Sequence, residues 1–327
     1  MKRVSMTEYP ELDDTQRQIM GSMSVLLKRA GLEYRGNFVE AAGRRIHYLD
    51  YGEGPPVILL HGGGAGSAIW FRQIEVLAKS HRVIVPDHPL FGLSSQIAYE
   101  APFVDSTAKY ITEFMDALDL VNVDVVGLSL GAQIALTMAL REPLRINKLV
   151  VIGSSGLGKQ FPLIYKLSNV PVLGRLVVRP NRWGQDNYFK TMEVVDTEFT
   201  DAEAYKQYAY DVTLTEGHAK GMRTSISVLT DFGGQKSIFS DEELLSIRQP
   251  VLAVWGEFDP LFPVEHGYRL ARLVRNSSLH VIDNARHVPL LDNPEIVNDL
   301  IVGFIDGDSS PTSYRLAAES IADLKVG

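Results

Sequence analysis

The sequence predicts an α/β protein: a mostly parallel, doubly wound sheet carrying an inserted, mainly helical cap. Three observations predict it. From Arg44 onward, short apolar and β-branched runs alternate with helix-length segments, the pattern of a parallel sheet covered on both faces. One such run, Val121 to Val126, leads almost directly into a helix signal, Ile134 to Leu140, with only Gly127-Leu128-Ser129-Leu130-Gly131 between them. Between about Gly158 and Gln249 the rhythm stops, and a long, partly helical stretch rich in Tyr and Phe intervenes before strands resume at Val251.

Taken in order, residues 1–13 read as disordered. Asp14 is placed to cap a helix running to about Ala30, with Gly31 as its stop. Ile19, Met20, Met23, Leu26 and Leu27 fall on one face of it, suited to docking on the core or cap, or to a weak membrane or lipid-surface contact through helix 14–30. Strands follow at Arg45 to Tyr51 and Val57 to Leu60, separated by the turn Gly52-Glu53-Gly54-Pro55-Pro56. A helix near Trp70 to Lys79, a strand Arg82 to Val85 and a helix Ser106 to Leu118 lead to the strand before Ser129. Later strands are Leu149 to Ile152, Val251 to Trp255 and Leu279 to Ile282, closed by a helix near Glu295 to Ile305. The expected organisation is an N-terminal extension with one helix (1–43), a core in two pieces (44–157 and 249–306), a cap (158–248) and a polar C-terminal tail with one weak helix (307–327).

Composition narrows the chemistry. The 327 residues are 45% hydrophobic and 22% charged, ordinary proportions for a soluble globular enzyme of one large domain or two smaller ones. A net charge of −8 without any Lys/Arg run argues against a nucleic-acid partner. The absence of cysteine excludes disulfides, thiol catalysis and Cys-ligated metals together. The basic start Met1-Lys2-Arg3-Val4-Ser5 lacks a following apolar region, so a signal peptide is not expected. Apolar runs fall far short of the ~20 residues that cross a bilayer. A soluble cytoplasmic protein is the expectation.

A strand and a helix joined with almost no loop force Ser129 to the apex of a tight, strained turn, with Gly127 and Gly131 removing the side chains that would obstruct it. Such a turn lifts the hydroxyl above the sheet and aims the helix N-terminus at whatever it attacks. Serine is a poor nucleophile alone; it needs a base, and the base an orienting carboxylate. Asp259 lies just past the strand Val251 to Trp255, and His287 in the loop after Leu279 to Ile282, so Ser129, Asp259 and His287 follow in that order, each beyond a strand end. A glycine-rich loop, His61-Gly62-Gly63-Gly64, follows another strand and can aim backbone N–H groups at an oxyanion. Two donors are needed, and Gly63 and Leu130 are the expected pair. Gly64, Leu128 and Val288, chain neighbours of these residues, are the expected substrate contacts. A phosphate-cradling role for the glycines lacks the spacing of either nucleotide motif. His61 reads as a structural hydrogen-bonder.

These residues resemble the α/β-hydrolase superfamily, serine-nucleophile branch, over about residues 44–157 and 249–305. The resemblance rests on His61-Gly62-Gly63-Gly64, the loop Asp87-His88-Pro89-Leu90-Phe91-Gly92-Leu93-Ser94, the Ser129 turn, Asp259 and His287. Leu90 stands where that loop often has Gly, and Ala132 replaces a usual second Gly after the turn. Ser at position 129 argues against the dehalogenase and epoxide hydrolase branches, whose nucleophile is Asp. The His61 loop looks like that of the meta-cleavage-product C–C hydrolases, whereas Val288-Pro289-Leu290-Leu291 after His287 looks closer to esterases and lipases. The resemblance therefore implies a carboxylic-ester hydrolase working through an acyl-enzyme on a small-molecule substrate, with a C–C hydrolase as alternative and a receptor-like, non-catalytic member as a third reading. It implies no metal or organic cofactor. Substrate choice is expected in the cap, among Phe161, Leu163, Ile164, Tyr165, Leu167, Val170, Leu173, Leu176, Trp183, Tyr188, Phe189, Tyr205, Tyr208 and Tyr210, most of which would pack cap to core.

Overall fold

In the structure, a computed structural model, residues 12–41, 43–96, 102–166, 170 and 179–307 are described. The readings of residues 1–11 and 308–327, and of Leu167, Leu173 and Leu176, lie outside these residues, as do the side chains of Ile164 and Tyr165. The strands are β1 Gly36–Ala41, β2 Arg44–Tyr51, β3 Pro56–Leu60, β4 Arg82–Pro86, β5 Val123–Leu128, β6 Ile146–Ile152, β7 Thr230–Asp231, β8 Gly234–Gln235, β9 Val251–Gly256 and β10 Ser277–Ile282. Eight of them form one sheet in the order β1-β2-β4-β3-β5-β6-β9-β10, antiparallel at β1–β2 and β2–β4 and parallel elsewhere; β7 and β8 make a small ladder within the cap. The mostly parallel sheet is thus the predicted one. After β3 the chain steps to β4 on one side and then to β5 on the other. Beyond the carboxyl ends of β3 and β5 lies the crevice that such a reversal leaves open.

The principal helices are α1 Asp14–Arg29, α2 Phe71–Leu77, α3 Phe103–Ala117, α4 Leu130–Arg141, α5 Arg182–Tyr188, α6 Ala202–Val212, α7 His218–Leu229, α8 Asp241–Ser246, α9 Glu265–Leu273 and α10 Pro294–Asp306. Period-two alternation feeds two core layers. Ile58, Leu60, Val125 and Val151 pack under α3, α4 and α9, while Val57, Leu59, Val126 and Val150 pack under α2 and α10.

Two expectations for the N-terminal extension need correction. The first concerns its helix. Asp13, rather than Asp14, caps α1, accepting the Gln16 N–H at 2.7 Å while the Gln16 side chain returns to the Asp13 N–H. The apolar face of α1 does not remain available to a membrane. Ile19, Met23, Leu26 and Leu27 are fully buried, contributing roughly 1.5–3 kcal/mol each, and α1 lies against α6, where Gln18 donates to Asp211 at 2.8 Å. The second concerns β1, which the extension also contains. Gly36 and Asn37 weaken its sequence signal, yet every residue from Gly36 to Ala41 pairs with β2 as an antiparallel edge strand. No described helix is long and apolar enough to cross a membrane.

Candidate active site

Strand β5 runs on through Gly127 and Leu128, and α4 begins at Leu130, so the turn between them is Ser129 alone, tighter than the five-residue span the sequence suggested. Ser129 takes φ +57°, a left-handed conformation costing a non-glycine residue on the order of 1–3 kcal/mol. The flanking glycines make this possible. A Cβ on Gly131 would run into the carbonyls of Leu60 and His61, and one on Gly127 would lie 2.5 Å from the Gly131 carbonyl. The Ser129 N–H donates to the Ile152 carbonyl at 2.8 Å, tying the turn to the end of β6.

The next residue in that strand end brings the other groups in. A Cβ on Gly153, which has φ +49°, would sit 3.2 Å from both Asp259 Oδ2 and His287 Nδ1. Those two atoms are 2.8 Å apart, both residues are buried, and Asp259 Oδ1 accepts the N–H groups of Leu261 and Phe262 at 2.8 and 3.0 Å. With its carboxylate so held, Asp259 fixes the proton on Nδ1 of His287 and leaves Nε2 as the basic nitrogen. The ring is braced edge-on by Phe262, with centroids 5.4 Å apart. From the cap, the carbonyls of Met192 and Glu193 accept the N–H groups of His287 and Val288 at 3.3 and 2.9 Å.

The glycine loop after β3 reaches the same place. Gly63, Ser129 and Leu130 together line a cavity of about 80 Å³ whose other walls include Phe161, Met222, Ile226, Leu229, Leu261 and Phe262. Among the described residues the N–H groups of Gly63 and Leu130 meet no protein acceptor, as oxyanion donors require. His61 is occupied at both nitrogens: Nδ1 donates to the Gly62 carbonyl at 2.7 Å, and Nε2 accepts the His88 N–H at 2.9 Å. Burial holds its pKa below the usual imidazole value, so it is a neutral structural ring. Asp87 anchors the loop from behind through the Ser67 and Leu93 N–H groups and His47 Nδ1, at 2.6, 2.9 and 2.7 Å. Burial alone would raise its pKa, but these donors, His47 foremost, hold it down at about 2.

A second cavity of about 260 Å³ adjoins the first, sharing Gly63, Tyr188 and Met222, and is lined also by Gly64, Arg179, Glu193, Tyr205, Tyr208 and His218. Of the expected substrate contacts, Gly64 lines this cavity, while Leu128 and Val288 are buried in one core layer and line neither. Their side chains follow strand and helix packing, not the chemistry of their chain neighbours. Among the cap residues, Phe161, Tyr188, Tyr205 and Tyr208 line the cavities; Phe189 is packed in the core; Leu163, Val170 and Trp183 face solvent. Met222, Ile226 and Leu229 were not singled out from the sequence, although their spacing along α7 was the available signal. Glu193 carried none. Leu90 adopts φ +70°, and its Cβ would be 2.8 Å from a Cβ on Gly221, so the residue standing in for the usual glycine presses against cap helix α7.

The alpha/beta hydrolase fold family model matches residues 55–294. The 2-hydroxy-6-oxononadienedioate/2-hydroxy-6-oxononatrienedioate hydrolase 2 of Pseudomonas putida is 31% identical over 273 residues, 80% of this chain and 91% of that protein. A solved meta-cleavage product hydrolase from Pseudomonas fluorescens is 26% identical, with a TM-score of 0.71 over 84% of this chain and 98% of that one. A solved carboxylesterase from Bacillus subtilis superposes with a TM-score of 0.75 over 90% and 99% of the two chains; at 24% identity it speaks for the fold alone.

Proposed function

The chain belongs to the alpha/beta hydrolase fold family, and we propose that within it this protein is a serine hydrolase of uncharged carboxylic esters, acting through an acyl-enzyme. The observation that carries the reading is the strained turn of Ser129, tied to the Ile152 carbonyl, with the 2.8 Å His287–Asp259 pair packed against the next residue, Gly153. In this mechanism His287 takes the Ser129 proton as the oxygen attacks the carbonyl. Asp259 holds the imidazole and offsets its charge, while the Gly63 and Leu130 N–H groups receive the oxyanion. The alcohol leaves with the proton from His287, and water repeats the sequence on the acyl-enzyme.

The choice between ester and C–C cleavage turns on charge. The Pseudomonas putida relative is named as a hydrolase of dioates, whose carboxylates call for cationic partners. Among the described residues, the cavity touching Ser129 is lined by no Lys or Arg, and the larger one presents Arg179, which is exposed, together with a buried carboxyl, Glu193. Apolar walls next to the nucleophile favour a neutral acyl group. The names of the relatives favour the second reading, C–C hydrolysis of a vinylogous diketone acid. Purified protein assayed on a panel of straight-chain butyrate and acetate esters beside a 2-hydroxy-6-oxo-dienoate separates them. Turnover of esters at least about a hundred times faster, in kcat/KM, supports the ester reading, and the reverse order overturns it.

A further inference from the structure

Glu193 ends the one-turn segment Phe189–Glu193, whose carbonyls hold the backbone of His287 and Val288. Its side chain is buried but lines the larger cavity. Among the described residues its only hydrogen bond comes from the Tyr205 hydroxyl, 3.0 Å from Oε2, and no Lys or Arg pairs with it. A carboxylate can accept about four hydrogen bonds, so most of this one's capacity faces the cavity unmet. Two other buried carboxyls, Asp87 and Asp259, each accept three hydrogen bonds from protein.

Resting on the ester reading, we propose that Glu193 is the specificity-determining residue of the larger cavity, and that this cavity takes an alcohol leaving group bearing a protonated amine. The free Oε1 would accept the ammonium N–H in a charge-assisted hydrogen bond, stronger than one between neutral groups. The volume suits a small aminoalkyl group, and the shared wall at Gly63 puts that group one step from the carbonyl held at Ser129.

The titratable and charged groups around Glu193 among the described residues are Tyr188 from α5, Tyr205 and Tyr208 from α6, His218 from α7, Arg179 at the cavity rim, and His287, Arg286 and Asp292 beyond β10. Among the described residues Tyr205 alone hydrogen-bonds the carboxyl, and it donates to either form. Burial pushes the carboxyl up to about 7, with Tyr205 and His287 opposing, so the acid ionises near neutrality and a cation beside it favours the charged form.

The test uses an isosteric pair, dimethylaminoethyl butyrate and isopentyl butyrate, bound to full-length Ser129→Ala protein by calorimetry. At about pH 8 the amine ester binds roughly ten-fold tighter; the advantage disappears in Ser129→Ala/Glu193→Gln and shrinks several-fold in Ser129→Ala at about pH 5.5. Should the double variant not fold, the pH comparison on Ser129→Ala carries the test alone. Equal binding of the two esters at the higher pH, or an advantage kept by the Gln variant or unchanged by pH, overturns the proposal. Wild-type turnover of the isopentyl ester is read separately. Its failure refutes the ester reading, whereas amine preference in binding decides the role of Glu193 either way.

Discussion

Asp87 and Glu193 are two buried carboxyls near the Gly63–Gly66 loop, and the fold treats them in opposite ways. Asp87, from the core, meets two backbone N–H groups and His47, and its pKa is held down at about 2. Glu193, from the cap, meets one tyrosine hydroxyl and an open cavity, and burial pushes it up to about 7. The same functional group, buried in both places, thus gives a fixed anion in one and a group poised to change charge in the other. The difference lies in the number of donors built around each. Charge needed for architecture is compensated inside the protein; charge left uncompensated beside a cavity is available to a ligand.

The largest expected effects fall on the core side. Ser129→Ala should lower kcat by several orders of magnitude, and Asp259→Asn by roughly 10⁴, with both proteins folding normally by circular dichroism. Glu193→Gln, by contrast, should change kcat/KM for isopentyl butyrate by less than about three-fold. Comparable losses in all three would erase the distinction between machinery and recognition.

Next comes stability. Asp87→Asn leaves His47 and the loop N–H groups poorly matched, and urea denaturation should report a loss of about 2–4 kcal/mol. The pH dependence carries opposite signs for the two carboxyls. Asp87, depressed in the folded state, contributes stability present above its unfolded value of 3.8, and this is lost as pH falls towards about 2. Glu193, raised in the folded state, contributes stability fully present below 4.5 and lost as pH rises through about 7, on the order of 3 kcal/mol across the window. Glu193→Gln should therefore be more stable than wild type at about pH 8, by roughly 1–3 kcal/mol, and show no such gain at about pH 4. Equal pH profiles for variant and parent would mean that Glu193 is solvated after all. The smallest effect concerns the apolar cavity at Ser129: lengthening the acyl chain from acetate should gain up to ~0.8 kcal/mol per methylene in kcat/KM, then fall sharply once the chain outgrows it. A flat profile would remove that cavity from acyl recognition.

The same division governs what was legible beforehand. Strands such as Val57 to Leu60 and Val251 to Trp255 are continuous apolar runs because both sheet faces are covered, and they read plainly as core. Ser129, Asp259 and His287 could be singled out because each lies past a strand end, a constraint that sequence order records, and the structure sets His287 and Asp259 2.8 Å apart. Strand β1 was missed because an edge strand, half-buried and opening on Gly36-Asn37, has only a weak pattern. Leu128 and Val288 are buried and line neither cavity, because adjacency along the chain says nothing about which face a side chain takes. In the cap, a lone Glu in Thr191-Met192-Glu193-Val194 carries no periodicity; its importance arises from a burial and a cavity that exist only in three dimensions.

The central claim is that Ser129 is a nucleophile served by His287 and Asp259. Its most direct measurement is rapid mixing of the enzyme with nitrophenyl butyrate, followed by acid quench and mass spectrometry of the peptide containing Ser129. The account predicts a burst of nitrophenol equal to the enzyme present and a butyryl group on Ser129, both absent in Ser129→Ala. Turnover in Ser129→Ala at even about a tenth of the wild-type rate, or a butyryl group found on another residue, would contradict it.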